Sequence, residues 1–374
     1  MRKQYVARRR QARQSARRRV LALANELPKR ILDSMRAVSF APLVLALIGE
    51  PVHGNAADQA CQKWSAAYQA AVALAASGQY RAAERALRDA GGLAQDCGPH
   101  SREMALTLNS RGSVYQYLAM HTDAERCYRR ALAIWEKLAD GQAVGRIAIA
   151  NNLARLYLET DQLGAAKKVL WHELAVSLGA APEADLELAR THEMISVVFH
   201  KQRKYSQAEP HIRKAIELCE SAVGPAHPET AMAWNDLGAL EMAIGRHAES
   251  IVHLSKALSL LESALNGDHV GKVTTLSNLG LAYAMMQQPA ASEPLLQRAL
   301  RIAEAGYGPA DARTAAVLSA YAEALRKLGK KREARDLQKR SQEIQSESVR
   351  RSRSSDVVSM TDLRNRLSNR RAPD

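Results

Sequence analysis

Gly238 and Ser250 stand twelve residues apart in "AWNDLGALEMAIGRHAESIVHLSKAL", two small side chains among bulky neighbours. Forty-two residues on, "TLSNLGLAYAMMQQPAASEPLLQRAL" puts Gly280 and Ser292 at the same places. The same step carries the first position through Ala70, Gly112, Ala154, Ser196 and Ala322, and the second through Ala82, Ala124, Ala166, Ala208 and Ala334. Every position in both columns is Gly, Ala or Ser. A period of this length marks a chain of stacked copies of one supersecondary element. The element is helical. Aromatics are only 5% of the chain, Ala and Leu dominate, and period-two alternation is missing outside the extreme C-terminus. Two antiparallel helices joined by a short turn approach closely only where neither carries a large side chain. The columns therefore predict crossing points on a first helix (A) and a second helix (B) of each hairpin. A Leu at either column would overpack the crossing at a typical cost of about 1–3 kcal/mol.

The bulky positions recur too. Ala131, Ala215, Ala257 and Ala299 lie seven residues after the second column, each followed by Leu or Ile; Tyr115, Tyr157, Phe199 and Tyr283 lie three after the first. Helix A reads "WNDLG", "LSNLG" and "NNLARLY", helix B "YSQAEP" and "HAESI", and the connections "GPAHPETA". These segments resemble the tetratricopeptide repeat in its long form, as in kinesin light chains. The resemblance covers residues 57–345 as about seven repeats and implies an all-α, right-handed superhelical solenoid. It is looser in the first repeat, where "YRAAERAL" fits best with a one-residue slip, and in the last, which reads as a cap. Arg111 and Glu241 depart from the pattern, standing where the family carries a large apolar residue and a Tyr. Such departures imply either water in those seams or side chains that reach out to solvent. Ser101, Asp185, His227, His269 and Asp311 share one register just ahead of each helix A, as N-caps would.

The formal charge of +14 is concentrated at one end. Residues 1–36 hold twelve Lys and Arg against Glu26 and Asp33, whereas the chain from Ala57 onward is nearly balanced. Residues 1–34 read as a basic extension, with two alternatives: an untranslated stretch if Met35 is the initiator, or an unusually long n-region of the segment that follows. Residues 35–56 read as a secretory signal: "AVSFAPLVLALIG" is too short to span a bilayer, and Gly54 and Ala56 supply small residues at −3 and −1 of a cleavage site before Ala57. Residues 346–374 are Ser- and Arg-rich and read as a disordered tail. Export implies a secreted or periplasmic protein; without cleavage the chain would be cytoplasmic. Cys61 and Cys97 flank a hairpin whose turn lies near residues 77–79, each about equally far from it, so a disulfide at the open end is compatible with the spacing. Buried free thiols are the alternative.

In the repeat family the ligand-facing residues lie on helix A, three before, one after and four to five after the first small column. Carried onto this chain, the resemblance implies a peptide-binding groove containing Asn109, Asn151, Glu193 and Asn235, then Arg155, then Gln116, Tyr117, His200 and Lys201, with Arg190 on the same face. An amide both donates and accepts, so an Asn row can pair with the backbone of an extended peptide. Bracing neighbouring helices is the alternative role. Arg155, Arg190 and Lys201 would favour a partner with an acidic segment. The expected function is a scaffold or adaptor for a protein or peptide partner; the rival is a cytoplasmic regulator whose basic arm touches nucleic acid or anionic membrane. The basic arm lacks interleaved aromatics beyond Tyr5, which speaks against nucleic acid, and membrane contact is expected only for export. Neither catalysis nor a cofactor nor a metal is expected. "HEMIS" at 192–196 opens like a zinc-peptidase motif but has Ser196 where the second His belongs, and there is no phosphate loop or nucleophile elbow.

Overall fold

The chain was described as a computed structural model, which defines residues 56–138, 143–177 and 184–347. The expectations for residues 1–34, for the signal segment up to Asn55, and for the tail beyond Glu347 lie outside the described residues; Ser346 and Glu347 end the last helix. The helices are α1 (Ala56–Ala76), α2 (Tyr80–Cys97), α3 (Arg102–Tyr117), α4 (His121–Trp135), α5 (Ala143–Glu159), α6 (Leu163–Val176), α7 (Asp185–Lys201), α8 (Tyr205–Val223), α9 (Pro228–Ala243), α10 (His247–Ala264), α11 (Val273–Met285), α12 (Pro289–Gly306) and α13 (Ala312–Lys327), closed by α14 at 331–347. A single 3-10 turn, Val270–Lys272, leads into α11. Odd-numbered helices are the A helices and even-numbered ones the B helices, giving seven hairpins among the described residues. They divide after Glu187 into two units. The first contains three hairpins, and the second contains four.

Each hairpin turns through one residue in the left-handed region. Ala119, Asp161, Arg203, Gly245, Gln287 and Gly329 occupy it at 42-residue steps. Each is followed by a residue whose N–H reaches back to a helix-A carbonyl, as in Met120 to Tyr115, Gln162 to Tyr157 and Arg246 to Glu241. This is the six-to-one bond of a Schellman ending, which satisfies an orphan carbonyl and reverses the chain. Helix starts are capped by different chemistry at the same register. Ser101 Oγ accepts from Met104 N–H, and Asp311 Oδ1 accepts from Arg313 N–H. His227 Nδ1 accepts from Glu229 N–H at 3.2 Å and His269 Nδ1 from Gly271 N–H at 3.0 Å. Asp185 instead lies within α7 as its first residue.

The two small columns meet as the sequence requires, and the structure adds a bond. Ser250 Oγ donates to the Gly238 carbonyl at 2.7 Å, and Ser292 Oγ donates to the Gly280 carbonyl at 2.7 Å. Four residues beyond the second-column position, five of the hairpins send a large side chain into the notch: Tyr128, Leu170, Ile212, Leu254 and Leu296, all buried. A Cβ built on Gly112 would lie 2.6 Å from the Tyr128 ring; on Gly238 and on Gly280 it would lie 2.6 Å from Cγ of Leu254 and Leu296. Ala124, Ala154, Ala166 and Ala208 are fully buried, and Ser196 nearly so. The first repeat needs correction. Ala70 is exposed, and the buried pair is Ala71 with Ala83, one residue later in both columns and still twelve apart. Its turn residue, Gly78, is correspondingly 41 rather than 42 residues before Ala119.

The two departures from the family pattern are both paired with neighbouring side chains. Glu241 is 1% exposed, and its Oε2 lies 2.7 Å from His253 Nδ1. Arg111 donates to the Tyr115 hydroxyl at 2.8 Å, and that hydroxyl donates to Glu84, which also binds Arg88. A third buried charge, Glu173, stands where four other B helices place Ala131, Ala215, Ala257 and Ala299; Arg146 lies 3.3 Å from its carboxylate. Burial raises the Glu173 pKa, with Arg146 opposing.

Two expectations follow for stability. In an open helix, Gly→Ala gains about 1 kcal/mol. That gain should appear for Gly92→Ala, where nothing lies within 4 Å of the new Cβ. Gly238→Ala should instead lose stability, because overpacking of about 1–3 kcal/mol outweighs propensity. Urea unfolding of both variants measures the opposite signs, and equal shifts would show that the crossing is loose. At the turns, Ala119→Gly should raise stability by up to about 1 kcal/mol by relieving a left-handed non-glycine residue. Gly245→Ala should lower it comparably, as read from the same urea midpoints.

Candidate binding wall on the A helices

Successive A helices within each unit are joined by polar side chains 42 or 43 residues apart. Trp64 Nε1 donates to Thr107 Oγ1 at 2.8 Å, and the Tyr68 and Ser110 hydroxyls lie 2.7 Å apart. Asn152 Nδ2 donates to Asn109 Oδ1 at 2.9 Å, and Asn278 Nδ2 donates to Asn235 Oδ1 at 3.1 Å. The repeat forces this ladder. Once one pair of A helices packs in register, every equivalent pair presents the same two positions to each other, and buried polar atoms must be matched there.

The expected Asn row therefore lies inside the ladder. Asn109, Asn151 and Asn235 are all buried. Asn151 Nδ2 donates to the Glu187 carbonyl at 2.9 Å, and Asn235 Nδ2 donates to Asp236 at 3.1 Å. These amides brace neighbouring helices, the alternative the sequence left open. Their burial and these bonds meet the demand that a buried amide be paired.

The remaining expected residues separate by unit. In the first unit, Gln116 accepts from the Tyr128 hydroxyl at 3.0 Å and donates to Glu159 of the next A helix. Arg155, half-buried, donates to Asn152 Oδ1 at 2.7 Å. Tyr117 is 47% exposed, and its ring stacks on Tyr80 with centroids 4.7 Å apart. Gln116, Tyr117 and Arg155 thus lie along neighbouring A helices with Glu159 and Asn152 between them. In the second unit, Arg190 pairs with Glu229 at 3.1 Å. Glu193 lies near that pair and Asp236, all four bearing on the buried Cys219 thiol, which burial pushes up to about 12. His200, exposed, lies 5.6 Å from the Tyr205 ring at the end of α7, and Lys201 is exposed beside it.

Residues the sequence reading passed over are Asn152, Asn278 and Asp236, whereas Glu159 belongs with Gln116 and Tyr117 on the face it assigned to the groove. The first two and Asp236 share a 42-residue column one step after the Asn row, with Met194 between them. The signal existed, but only the packed ladder shows that this column faces the previous A helix.

Cys61 and Cys97 are joined as a disulfide at the open end of the α1–α2 hairpin, their Cα atoms 5.4 Å apart. Cys127 and Cys219 are buried free thiols. Among the described residues, no three His, Cys, Asp or Glu side chains are grouped to hold a metal ion, and no helix is long and apolar enough to cross a membrane.

Stacked two-helix hairpins with a shared A-helix wall define a class of helical repeat protein. The tetratricopeptide repeat signature matches residues 103–176, 187–263, 229–305 and 274–347, more than half of the chain, and the chain belongs to the tetratricopeptide repeat family. Among solved structures it is similar to the apo form of RapI at 15% identity, covering 78% of this chain and 99% of that one with a TM-score of 0.61. It is also similar to aspartyl phosphate phosphatase F of Bacillus subtilis, at 13% identity, 78% and 72% coverage and a TM-score of 0.62. A third is the Rap conjugation gene regulator of plasmid pLS20 in complex with the Phr* peptide, at 14% identity, 87% coverage of each chain and a TM-score of 0.59. At these identities the likeness is one of fold. No curated protein sequence matches the chain.

Proposed function

We propose that this protein is a scaffold or adaptor that binds an extended peptide or partner protein along its A helices and performs no chemistry of its own. One observation carries the proposal: on successive A helices the first unit has an exposed aromatic ring, Tyr117, a half-buried guanidinium, Arg155, and the bonded pair Gln116–Glu159. An aromatic surface supplies apolar area at low entropic cost, and a guanidinium fits a carboxylate in two-point geometry. The partner is therefore expected to carry an acidic segment. The peptide held by the fold neighbour from plasmid pLS20 supports a peptide ligand. The phosphatase name of another neighbour gives no support for catalysis, since that likeness at 13% identity concerns the fold.

Arg155→Glu with Tyr117→Ala should abolish capture of the native partner in a pull-down read by mass spectrometry, with helicity by circular dichroism unchanged. Capture at the wild-type level would remove the first-unit wall from consideration. Changing Asn151 or Asn235 would not make this distinction, since both hold helices together.

We place the protein outside the cytoplasm, in the periplasm or secreted, on the signal-like residues 35–56 and the Cys61–Cys97 disulfide, which suits an oxidising compartment. N-terminal sequencing of the protein from its native source should begin at Ala57. A retained Met1 would defeat the proposal and favour the rival, a cytoplasmic regulator whose twelve basic residues in 1–36 meet an anionic surface.

A further inference from the structure

Each B helix has an inner and an outer face. The inner one is the buried stripe, in α2 Ala83, Leu87, Ala90 and Ala94. Positions two and five residues after the second small column lie roughly 200° and 140° round the helix from that stripe, so they point away from the hairpin. In the first unit these positions hold Arg85, Arg126 and Lys168, then Arg88, Arg129 and Trp171, all exposed. Five cations and one indole are thus laid out over three successive B helices. In the second unit the same columns begin with Pro210, Val252 and Pro294 and with Arg213, Ser255 and Gln297, and end on Asp336 and Lys339. The repeat itself therefore does not demand the cations.

Two of the guanidinium groups are held by the same clasp. In the first hairpin Tyr115 of α3 donates to Glu84, which binds Arg88 at 2.9 Å. In the second Tyr157 of α5 donates to Glu125, and Arg129 lies 2.9 Å from that carboxylate while also donating to the Tyr157 hydroxyl. The acid sits inside and the cation outside: the side chains of Arg88 and Arg129 are 64% and 66% exposed, those of Glu84 and Glu125 11% and 29%. Arg126 stands over Asp123 in the same sense, 74% against 37%. A guanidinium has five N–H donors, so a clasp on one side leaves others directed outward.

By sequence α2, α4 and α6 carry eight Lys and Arg against six Asp and Glu, a small excess. The placing of the charges matters more than their sum. Arg81 and Arg130 are exposed beside the two columns, which brings the exposed cations of these helices to seven. Their exposed acids are Asp89 and Asp96; the other four carboxylates are buried or half-buried. The outer face of the first unit is therefore positive, with its counter-charges set behind it.

We infer that this outer face docks on an anionic phospholipid surface. The cations are spread over three helices, and a folded acidic partner would have to match every one of their fixed positions. Lipid headgroups move laterally to meet them. Trp171, 38% exposed, ends the column that Arg88 and Arg129 begin. Indole is the side chain that favours the headgroup layer, where its ring meets apolar chains and its N–H meets polar groups. The docked face belongs to the B helices, so the A-helix wall stays open to a partner.

The inference is independent of what the A-helix wall binds. Its test uses the full chain and vesicles of phosphatidylcholine with or without phosphatidylglycerol, carrying brominated acyl chains that quench nearby indoles. Residues 1–36 are basic enough to attract anionic vesicles themselves, so quenching is the readout specific to the face. Trp64 and Trp135 are buried and Trp234 is half-buried. Trp171→Phe should therefore remove most of the quenching seen with anionic vesicles. Arg85→Glu with Lys168→Glu leaves the clasps intact and should weaken vesicle binding on the order of 10-fold, with circular dichroism unchanged. The same charge change at Arg332 and Lys339, both exposed on α14, should leave binding as in the wild type. Equal losses from the two double variants, or quenching that survives Trp171→Phe, would overturn the inference. So would polyglutamate or duplex DNA that relieves the quenching at a charge concentration below that of the lipid, since the face would then prefer a protein or a nucleic acid.

Discussion

The close crossing of helix A on helix B is the contact on which everything else in the chain depends. A large side chain such as Leu254 enters the notch left by Gly238, and Ser250 fixes the depth of approach by donating to the glycine's own carbonyl. This bond asks nothing of the glycine beyond the absence of a Cβ. The carbonyl already belongs to the helical ladder, and its second lone pair takes the hydroxyl. Where Ala replaces Ser in the second column the hydroxyl is lost, but the methyl-sized contact remains, so the hairpin geometry tolerates Gly, Ala and Ser and little else. Because the notch recurs every 42 residues, the geometry of one hairpin is repeated in the next.

Constant hairpin geometry in turn fixes which faces of neighbouring A helices meet, and this creates the polar ladder. Its rungs have been filled in several ways: Trp with Thr, Tyr with Ser, and Asn with Asn. The same tolerance governs buried charges. Glu241 is admitted because His253 reaches it, Glu84 because Arg88 and Tyr115 do, and Glu173 because Arg146 lies alongside. These pairs contribute little net stability, since desolvation offsets most of their attraction.

The ladder also divides residues that the sequence had grouped. Asn109, Asn151 and Asn235 are buried between helices, while Tyr117 is exposed and Arg155 half-buried. Both sets lie on A helices, a turn or so apart. Their different fates follow from whether the next A helix covers them.

The sequence by itself determined the helical class, the hairpin count, the small-residue crossings and the cap register at Ser101, His227, His269 and Asp311, because each is a local requirement written at a fixed interval. It also contained the one-residue slip of the first repeat, visible in "YRAAERAL" but settled only by the burial of Ala71 and Ala83. Tertiary structure alone decided what meets what: that Asn152 answers Asn109 and Asn278 answers Asn235 between hairpins, and that Glu241 finds His253 within one. The pairings between hairpins depend on the stagger between one A helix and the next. Stagger is set by the summed packing of both hairpins, a quantity that no single stretch of residues encodes.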